Sequence, residues 1–292
     1  MRFSVVVTSY NYGLFIREAI NSVLSQTYKD FELIIIDDGS KDNTREIVSE
    51  FAFDERVKYF YQDNAGQPKA KNRGICESRG EFIAFLDADD VWESTKLEKQ
   101  MPLFEDSDVG VVYSRRKWID PVGVDVSGNE RVLRRGMILD YIFIDNFVCF
   151  SSSVIRKSYL EEVGYFDESL PMGIDYDLWI RLACVCKFDF VDEALVRYRT
   201  GHSNLSKNTL KRYECAQKIM IKNLSNLKIK NAMAWYVPAL AWSDTWSNFG
   251  FYLIKSDKKK QGLIYFFRAM AVFPLYYKSY RRFIKSLIFL FK

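Results

Sequence analysis

The sequence predicts an α/β protein with a mostly parallel central sheet flanked by helices and a helical C-terminal extension. Short apolar runs alternate with helix-like segments through residue 114, the pattern of βαβ units. Polar clusters follow those runs, at the strand ends where open α/β sheets gather ligands. The charge also reverses near residue 207. Residues 1–206 hold 25 Lys+Arg against 35 Asp+Glu, and residues 207–292 hold 17 against 3, which predicts a boundary there and a basic tail.

The elements follow in order. FSVVVTS (3–9) reads as a first strand and LFIREAINSVLSQ (14–26) as its helix. FELIIID (31–37) and NTREIVSEFAF (43–53) repeat the pair, as do VKYFYQ (57–62) and KAKNRGICES (69–78). EFIAFLD (81–87) is a fourth strand, a helix is expected from Trp92 to Glu105, and VGVVYS (109–114) is a fifth strand. From about residue 115 to 150 the periodicity weakens and loops are expected. FVCFSSSVIR (147–156) reads as a strand and KSYLEEVG as a short helix ended by Gly164. DYDLWIRLACVC places Leu178, Leu182 and Val185 on one helical face, and FDFVDEALVRYR returns to extended character. After His202 the pattern is mostly helical to the end.

Composition excludes several classes. The chain has 292 residues, 48% of them hydrophobic, enough for a sizeable core. Five cysteines with no CxxC pair argue against a disulfide framework or a zinc ribbon and fit a reducing, cytoplasmic setting. The first apolar run is too short for a signal peptide, and no uninterrupted apolar stretch reaches the roughly 20 residues that span a bilayer. No GxGxxG follows the first strand and no GxxxxGK[ST] occurs, so a dinucleotide cofactor and a P-loop are disfavoured.

The stretch FLDADD (85–90) carries three carboxylates directly after an apolar strand. Two carboxylates at such an end can hold a hard divalent cation, Mn²⁺ or Mg²⁺, which prefers oxygen ligands. Solvated aspartates capping the following helix are the plainer reading. DDGS (37–40) is a turn motif, but a carboxylate after a second strand can also accept hydrogen bonds from a ribose or base.

VVVTSYN, DDGS, NAGQPKAKNRG, FLDADD, DYDLWIRL and YRTGHSNLS come in this order and together resemble family 2 glycosyltransferases over residues 1 to about 206. The resemblance implies the GT-A fold, a Rossmann-like arrangement with a nucleotide-binding half at about 1–114 and an acceptor half at about 115–206. It implies an inverting transferase moving a sugar from a nucleotide-sugar, with UDP the usual nucleotide, to a hydroxyl of a glycan or lipid-linked acceptor in surface polysaccharide biosynthesis. By position, Thr8, Tyr10, Asp37 and Asp38 would hold the nucleotide, and Asn64, Gly66, Lys71, Asp87 and Ala88 would lie along the nucleotide-sugar. Asp87, Asp89 and His202 would hold Mn²⁺ or Mg²⁺, Arg199 would offset diphosphate charge, and Asp175 would be the general base. Two residues depart from the family pattern. Lys71 stands for an Arg, keeping charge but losing the bidentate fork, and Ile174 stands for a Glu.

Other readings compete. DADDV fits the D-x-D-x-[TV] signature of haloacid-dehalogenase-like phosphatases, which usually carry it on the first strand rather than the fourth. A nucleotidyltransferase and a degenerate GT-A scaffold in a polysaccharide-assembly complex are further alternatives, and Asp175 together with the YR…H segment argues for the transferase.

Residues 253–292 hold ten Lys+Arg and one acidic residue, Asp257, between apolar and aromatic runs, with Pro274 expected to divide two short helices. Such helices either pack on the main domain or lie on an anionic membrane surface at the cytoplasmic face. Nothing in the first half points to nucleic acid.

Overall fold

The computed structural model describes residues 2–201 and 208–290. The chain divides into two compact units, Met1–Ile138 with Phe147–Lys207, and Leu139–Asn146 with Asn208–Lys292.

In the first unit the strands are β1 (Phe3–Ser9), β2 (Phe31–Asp37), β3 (Val57–Tyr61), β4 (Phe82–Asp87), β5 (Val91–Trp92), β6 (Val109–Ile119), β7 (Asp125–Val126), β8 (Val154–Arg156) and β9 (Lys187–Arg199). Their order is β3-β2-β1-β4-β8-β6-β9-β5, with β7 beside β6. The β3-β2-β1-β4 half is all parallel. Strand β8 runs against both β4 and β6, so β6 and its parallel partner β9 point the same way as β4. The expected mostly parallel sheet is therefore present, with β5, β7 and β8 reversed. Helices α1 (Ile16–Leu24), α2 (Thr44–Ser49), α3 (Gln67–Glu77) and α4 (Lys96–Gln100) connect the early strands. One face of β1, β2 and β4 packs on α1 through Val5, Val7, Leu33, Ile35, Ala84 and Leu86. Helix α3 covers the other face so closely that a Cβ on Gly74 would lie 2.3 Å from Val6 Cγ1.

Several expectations are corrected. No helix spans Trp92–Glu105. Trp92 and Val91 pair with Val196 and Arg197, helix α4 is five residues long, and a 3₁₀ turn (Met101–Glu105) follows. Pro102 lacks the N–H that an α-helix would need there. The strand expected over FVCFSSSVIR is present only at Val154–Arg156, preceded by a 3₁₀ turn at Phe150–Ser152. The region expected to be loops contains the second half of β6, then β7. Helices α6 (Lys157–Val163) and α7 (Ile174–Ala183) complete the unit.

The second unit is helical: α5 (Leu139–Ile144), α8 (Thr209–Ser225), α9 (Leu227–Ala232), α10 (Val237–Lys255), α11 (Lys259–Val272) and α12 (Tyr277–Leu290). Helices α10 and α11 meet at paired glycines, where a Cβ on Gly262 would stand 2.7 Å from the Gly250 carbonyl oxygen. Asp244 of α10 accepts from Arg282 (2.9 Å) and Tyr276, which ties down α12. Among the described residues no helix is long and apolar enough to cross a membrane.

Candidate active site

The site is built on the carboxyl ends of β1, β2 and β4. Register sets Thr8 beside Asp87 and Ser9 beside Asp37, so the polar residues after the three strands share one edge. The loops there are laced together. Asn11 donates from its N–H to Ser40 Oγ (2.9 Å) and accepts from the Lys41 N–H (2.7 Å), and the Gly13 N–H donates to Asp42 (2.9 Å). Asn11 holds φ at 59°, a left-handed conformation that asparagine tolerates. Tyr10 remains exposed at this edge.

Asp37 and Asp38 are buried and committed to the protein. Asp37 accepts from the Ser40 N–H (2.8 Å) and the Tyr59 hydroxyl (2.8 Å). Asp38 accepts from the N–H groups of Ala65 and Gly66, both at 2.9 Å, and from Gln62 Nε2 at 2.7 Å. Gly66 has φ of 93°, where a side chain would be strained. Gly39 lies so near Asn64 that a Cβ would meet its backbone nitrogen at 2.7 Å. The structure thus joins the DDGS turn to Asn64 and Gly66, and gives both aspartates a loop-fixing task beside any nucleotide contact.

The FLDADD carboxylates separate into different environments. The Asp90 N–H closes the turn on the Asp87 carbonyl (3.0 Å). Asp90 itself is buried, accepting from Ser151 Oγ and from the Arg199 N–H (2.9 Å). Burial, and then Asp89 and Asp87, raise its pKa well above the usual carboxylate range. Asp87 is half-exposed and faces the buried Lys71 amine at 2.8 Å. Lys71 also rests 4.0 Å above the Phe150 ring. Burial, and then the charge on Asp87, push Asp89 up to about 7. Ala88 turns its methyl into the core, which leaves only its backbone for a ligand.

Arg199, expected at a diphosphate, is 2% exposed and engaged within the protein. Its guanidinium donates to the carbonyls of Asp89 (2.8 Å), Pro121 (3.0 Å) and Asp120 (3.3 Å), and to Glu18 of α1. Its place is behind the acidic turn, holding it to α1 and to the 120–123 turn. His202 lies outside the described residues.

Asp175 stands in the first turn of α7, after Gly173 in a left-handed conformation, and is partly buried. Trp179, one turn later on the same helical face, lies 6.3 Å from Phe150, whose ring carries Lys71. Packing therefore connects the start of α7 to the acidic turn. Asp177 is fully buried and bonded to Arg181 at 2.9 Å, so it is not available to a substrate hydroxyl. Ile174, where the resemblance has Glu, is buried.

Among the described residues no three or more His, Cys, Asp or Glu side chains converge as a metal cage. Hard carboxylate oxygens of Asp87 and Asp89 nevertheless suit a Mg²⁺ or Mn²⁺ that takes its other ligands from phosphate and water. The raised Asp89 fits the same reading, since a cation beside it would favour the ionised form.

Sequence reasoning missed Tyr12, Ser151, Glu18 and Tyr198. Burial and then the aspartates of the acidic turn raise the Tyr12 phenol. Burial and then Asp90 raise that of Tyr198. Both tyrosines carried a local signal, Tyr12 in YNYG beside Tyr10 and Tyr198 in YRTGHSNLS beside Arg199. Ser151 and Glu18 reach the turn only through contacts far apart in sequence.

The description Glycosyl transferase family 2 matches residues 4–164. An uncharacterised glycosyltransferase of Rickettsia typhi is 31% identical over 232 residues, covering 76% of this chain and 72% of the relative. One of Rickettsia conorii is 31% identical over 214 residues, and there the match spans 70% of this chain but only 35% of the relative. The S. aureus TarS 1–349 structure in complex with UDP-GlcNAc aligns with a TM-score of 0.71 at 18% identity, over 93% of this chain and 81% of that one. The mannosyltransferase PcManGT of Pyrobaculum calidifontis, in complex with GDP-Man and Mn²⁺, aligns at 0.65 and 16%, over 99% and 85%. These neighbours share the GT-A fold with this chain. On the family match and the Rickettsia typhi relative, the chain belongs to glycosyltransferase family 2.

Proposed function

We propose that this protein transfers a sugar from a nucleotide-sugar, with UDP the favoured nucleotide, to a hydroxyl of a glycan or lipid-linked acceptor, with inversion at the anomeric carbon. The observation that carries the proposal is the packing of α7, through Trp179 one turn after Asp175, near Phe150, whose ring carries the Lys71 that pairs with Asp87. It supports reading the carboxylate of Asp175, at the start of that helix, as the base that serves this edge. Asp175 takes the proton of the acceptor hydroxyl as it attacks. A positioned base of this kind is worth about 10²–10⁴-fold. Asp87 and Asp89 would hold a divalent ion, which supplies charge stabilisation to the departing diphosphate. Thr8, Tyr10 and the backbone around Asp37, Asn64 and Gly66 bind and orient the nucleotide, and Lys71 fixes Asp87. UDP-GlcNAc in TarS supports the choice of nucleotide, and Mn²⁺ with GDP-Man in PcManGT supports the metal. A scaffold without activity is the second reading, favoured by the buried Ile174.

The acceptor setting extends this reading. Helices α11 and α12 expose Ile264, Phe267, Tyr277, Ile284 and Ile288, interleaved with Lys278, Arg281 and Lys285. An apolar stripe with cationic flanks suits an anionic membrane surface, where a lipid-linked acceptor would reside. Hydrolysis or transfer across a panel of nucleotide-sugars, with and without Mn²⁺, tests the function. Turnover of one UDP-sugar is expected. No turnover and no binding of any nucleotide-sugar would leave the scaffold reading.

A further inference from the structure

The acceptor half carries a cation that the site described so far does not use. All six Lys and Arg of residues 101–150 fall in two clusters, Arg115, Arg116 and Lys117 on β6 and Arg131, Arg134 and Arg135 after β7. On β6 and its partner β9, three of the four arginines meet carboxylates: Arg115 pairs with Asp192, Arg197 with Glu18 at 3.8 Å, and Arg199 with Glu18. Among the described residues, Arg116 forms no such ion pair. Its guanidinium instead lies in the corner formed by two rings, 4.4 Å from the Trp118 centroid and 4.9 Å from that of Tyr198. Trp118 and Tyr198 are register partners, set edge to face at 5.2 Å. Contact with the two rings and a hydrogen bond with the Cys149 thiol hold the guanidinium in place and leave its other N–H groups for an acceptor.

Its position is specific. Arg116 is in register with Val196, which also pairs with Trp92, two residues beyond Asp90. Three residues past Val196, the Arg199 N–H holds the Asp90 carboxylate. Both Asp90 and the Cys149 thiol lie within electrostatic reach of Arg116. A half-buried, pre-oriented guanidinium thus stands on the acceptor-side strands beside the acidic turn.

We propose that Arg116 is a phosphate-binding residue of this site, donating two parallel hydrogen bonds to phosphate oxygens of a substrate from its seat against Trp118 and Tyr198. The proposal rests on the transferase reading and deepens it, because it requires a phosphate on the β6–β9 side of the turn. That phosphate belongs either to the donor diphosphate or to the acceptor.

Titration calorimetry separates the two sources. UDP and uridine are titrated into wild type, Arg116→Gln and Arg116→Lys, and glycerol 3-phosphate is titrated in the presence of saturating UDP. If the donor diphosphate is the partner, Arg116→Gln weakens UDP about tenfold or more and leaves uridine unchanged. If the acceptor phosphate is the partner, glycerol 3-phosphate is weakened and UDP is not. In either case Arg116→Lys recovers only part of the loss, since it restores charge without the fork. Binding of both phosphate probes within twofold of wild type in both variants overturns the proposal. Should Arg116→Gln not fold, Arg116→Lys decides by the same comparison. Failure of wild type to bind UDP at all would instead count against the transferase reading, and the glycerol 3-phosphate titration, repeated without UDP, would still read Arg116.

Discussion

The strand-end edge of the first unit and the α11–α12 pair of the second are both rich in charge, and they handle it in opposite ways. At the edge, Asp37, Asp38, Lys71, Asp90 and Arg199 are all buried and bonded to one another's loops. Along α11 and α12, Lys278, Arg281 and Lys285 stand on exposed faces, while Arg282 is drawn inward, to Asp244 at 2.9 Å. Charges fixed in advance in a partly dry edge stabilise developing charge without reorganising. Charges on flexible stems over apolar side chains suit a broad, fluid, anionic surface. On the function proposed above, the difference separates a part of the molecule suited to chemistry from one suited to location.

Substitutions can sharpen or break that contrast. The largest effect is expected at Asp175. Asp175→Asn should keep UDP binding and lower turnover by about 10²-fold or more, read from steady-state rates with a saturating donor. Near-normal turnover would move the base elsewhere. Next come the exposed cations. Replacing Lys278, Arg281 and Lys285 together by Gln should weaken sedimentation with anionic vesicles about 10²-fold at low salt, since each charge near such a surface contributes about 1 kcal/mol. Donor hydrolysis in solution should not change. Equal vesicle binding by the triple variant would make these helices structural. Truncation after Asn248 is the poorer test, because it would cut through α10.

A smaller effect is expected behind the acidic turn. Arg199→Met should cost about 2 kcal/mol in urea unfolding, the range for buried hydrogen bonds to a charged group, and should weaken UDP as the turn loosens. The smallest effect is a pH slope. Lys96 is fully buried, with its amine 3.9 Å from the Trp92 ring centroid and 2.7 Å from Gln100 Oε1. Burial lowers its pKa well below that of an ordinary lysine. Between that lowered value and about 10.4 the unfolded chain binds more protons, so Lys96 favours folding increasingly as pH rises. The stability of wild type minus that of Lys96→Met should therefore increase from pH 7 to pH 10. A flat difference would mean that Lys96 titrates normally.

The same contrast explains what was legible in the sequence. Strands β1, β2 and β4 are continuous apolar runs because both faces are covered, and their terminal Asp and Thr residues announce the edge. The run Ser151–Ser153 looked like part of a strand, yet Ser152 and Ser153 donate to the carbonyls of Cys149 (2.8 Å) and Phe150 (2.7 Å). Such local bonds compete with a ladder, and the resulting turn aims Ser151 at Asp90. Strand β5 was hidden for another reason: Trp92 meets Val196 across more than a hundred residues, which no local period records. Arg199 was identified as important, but only the fold reveals that its partners are the carbonyls beneath the acidic turn. In the helical unit, charge marked the tail, whereas LDYIFI at α5 has a composition that suits a strand as well as a helix.

The most direct test of the account is UDP binding by calorimetry, with Mn²⁺ and with EDTA, for wild type and Asp89→Ala. The acidic turn as a metal and diphosphate site predicts tight binding by wild type only with Mn²⁺. Asp89→Ala in Mn²⁺ should fall to the EDTA level, about tenfold weaker or more, for loss of a charged ligand. Equal UDP affinity in all four titrations would contradict it.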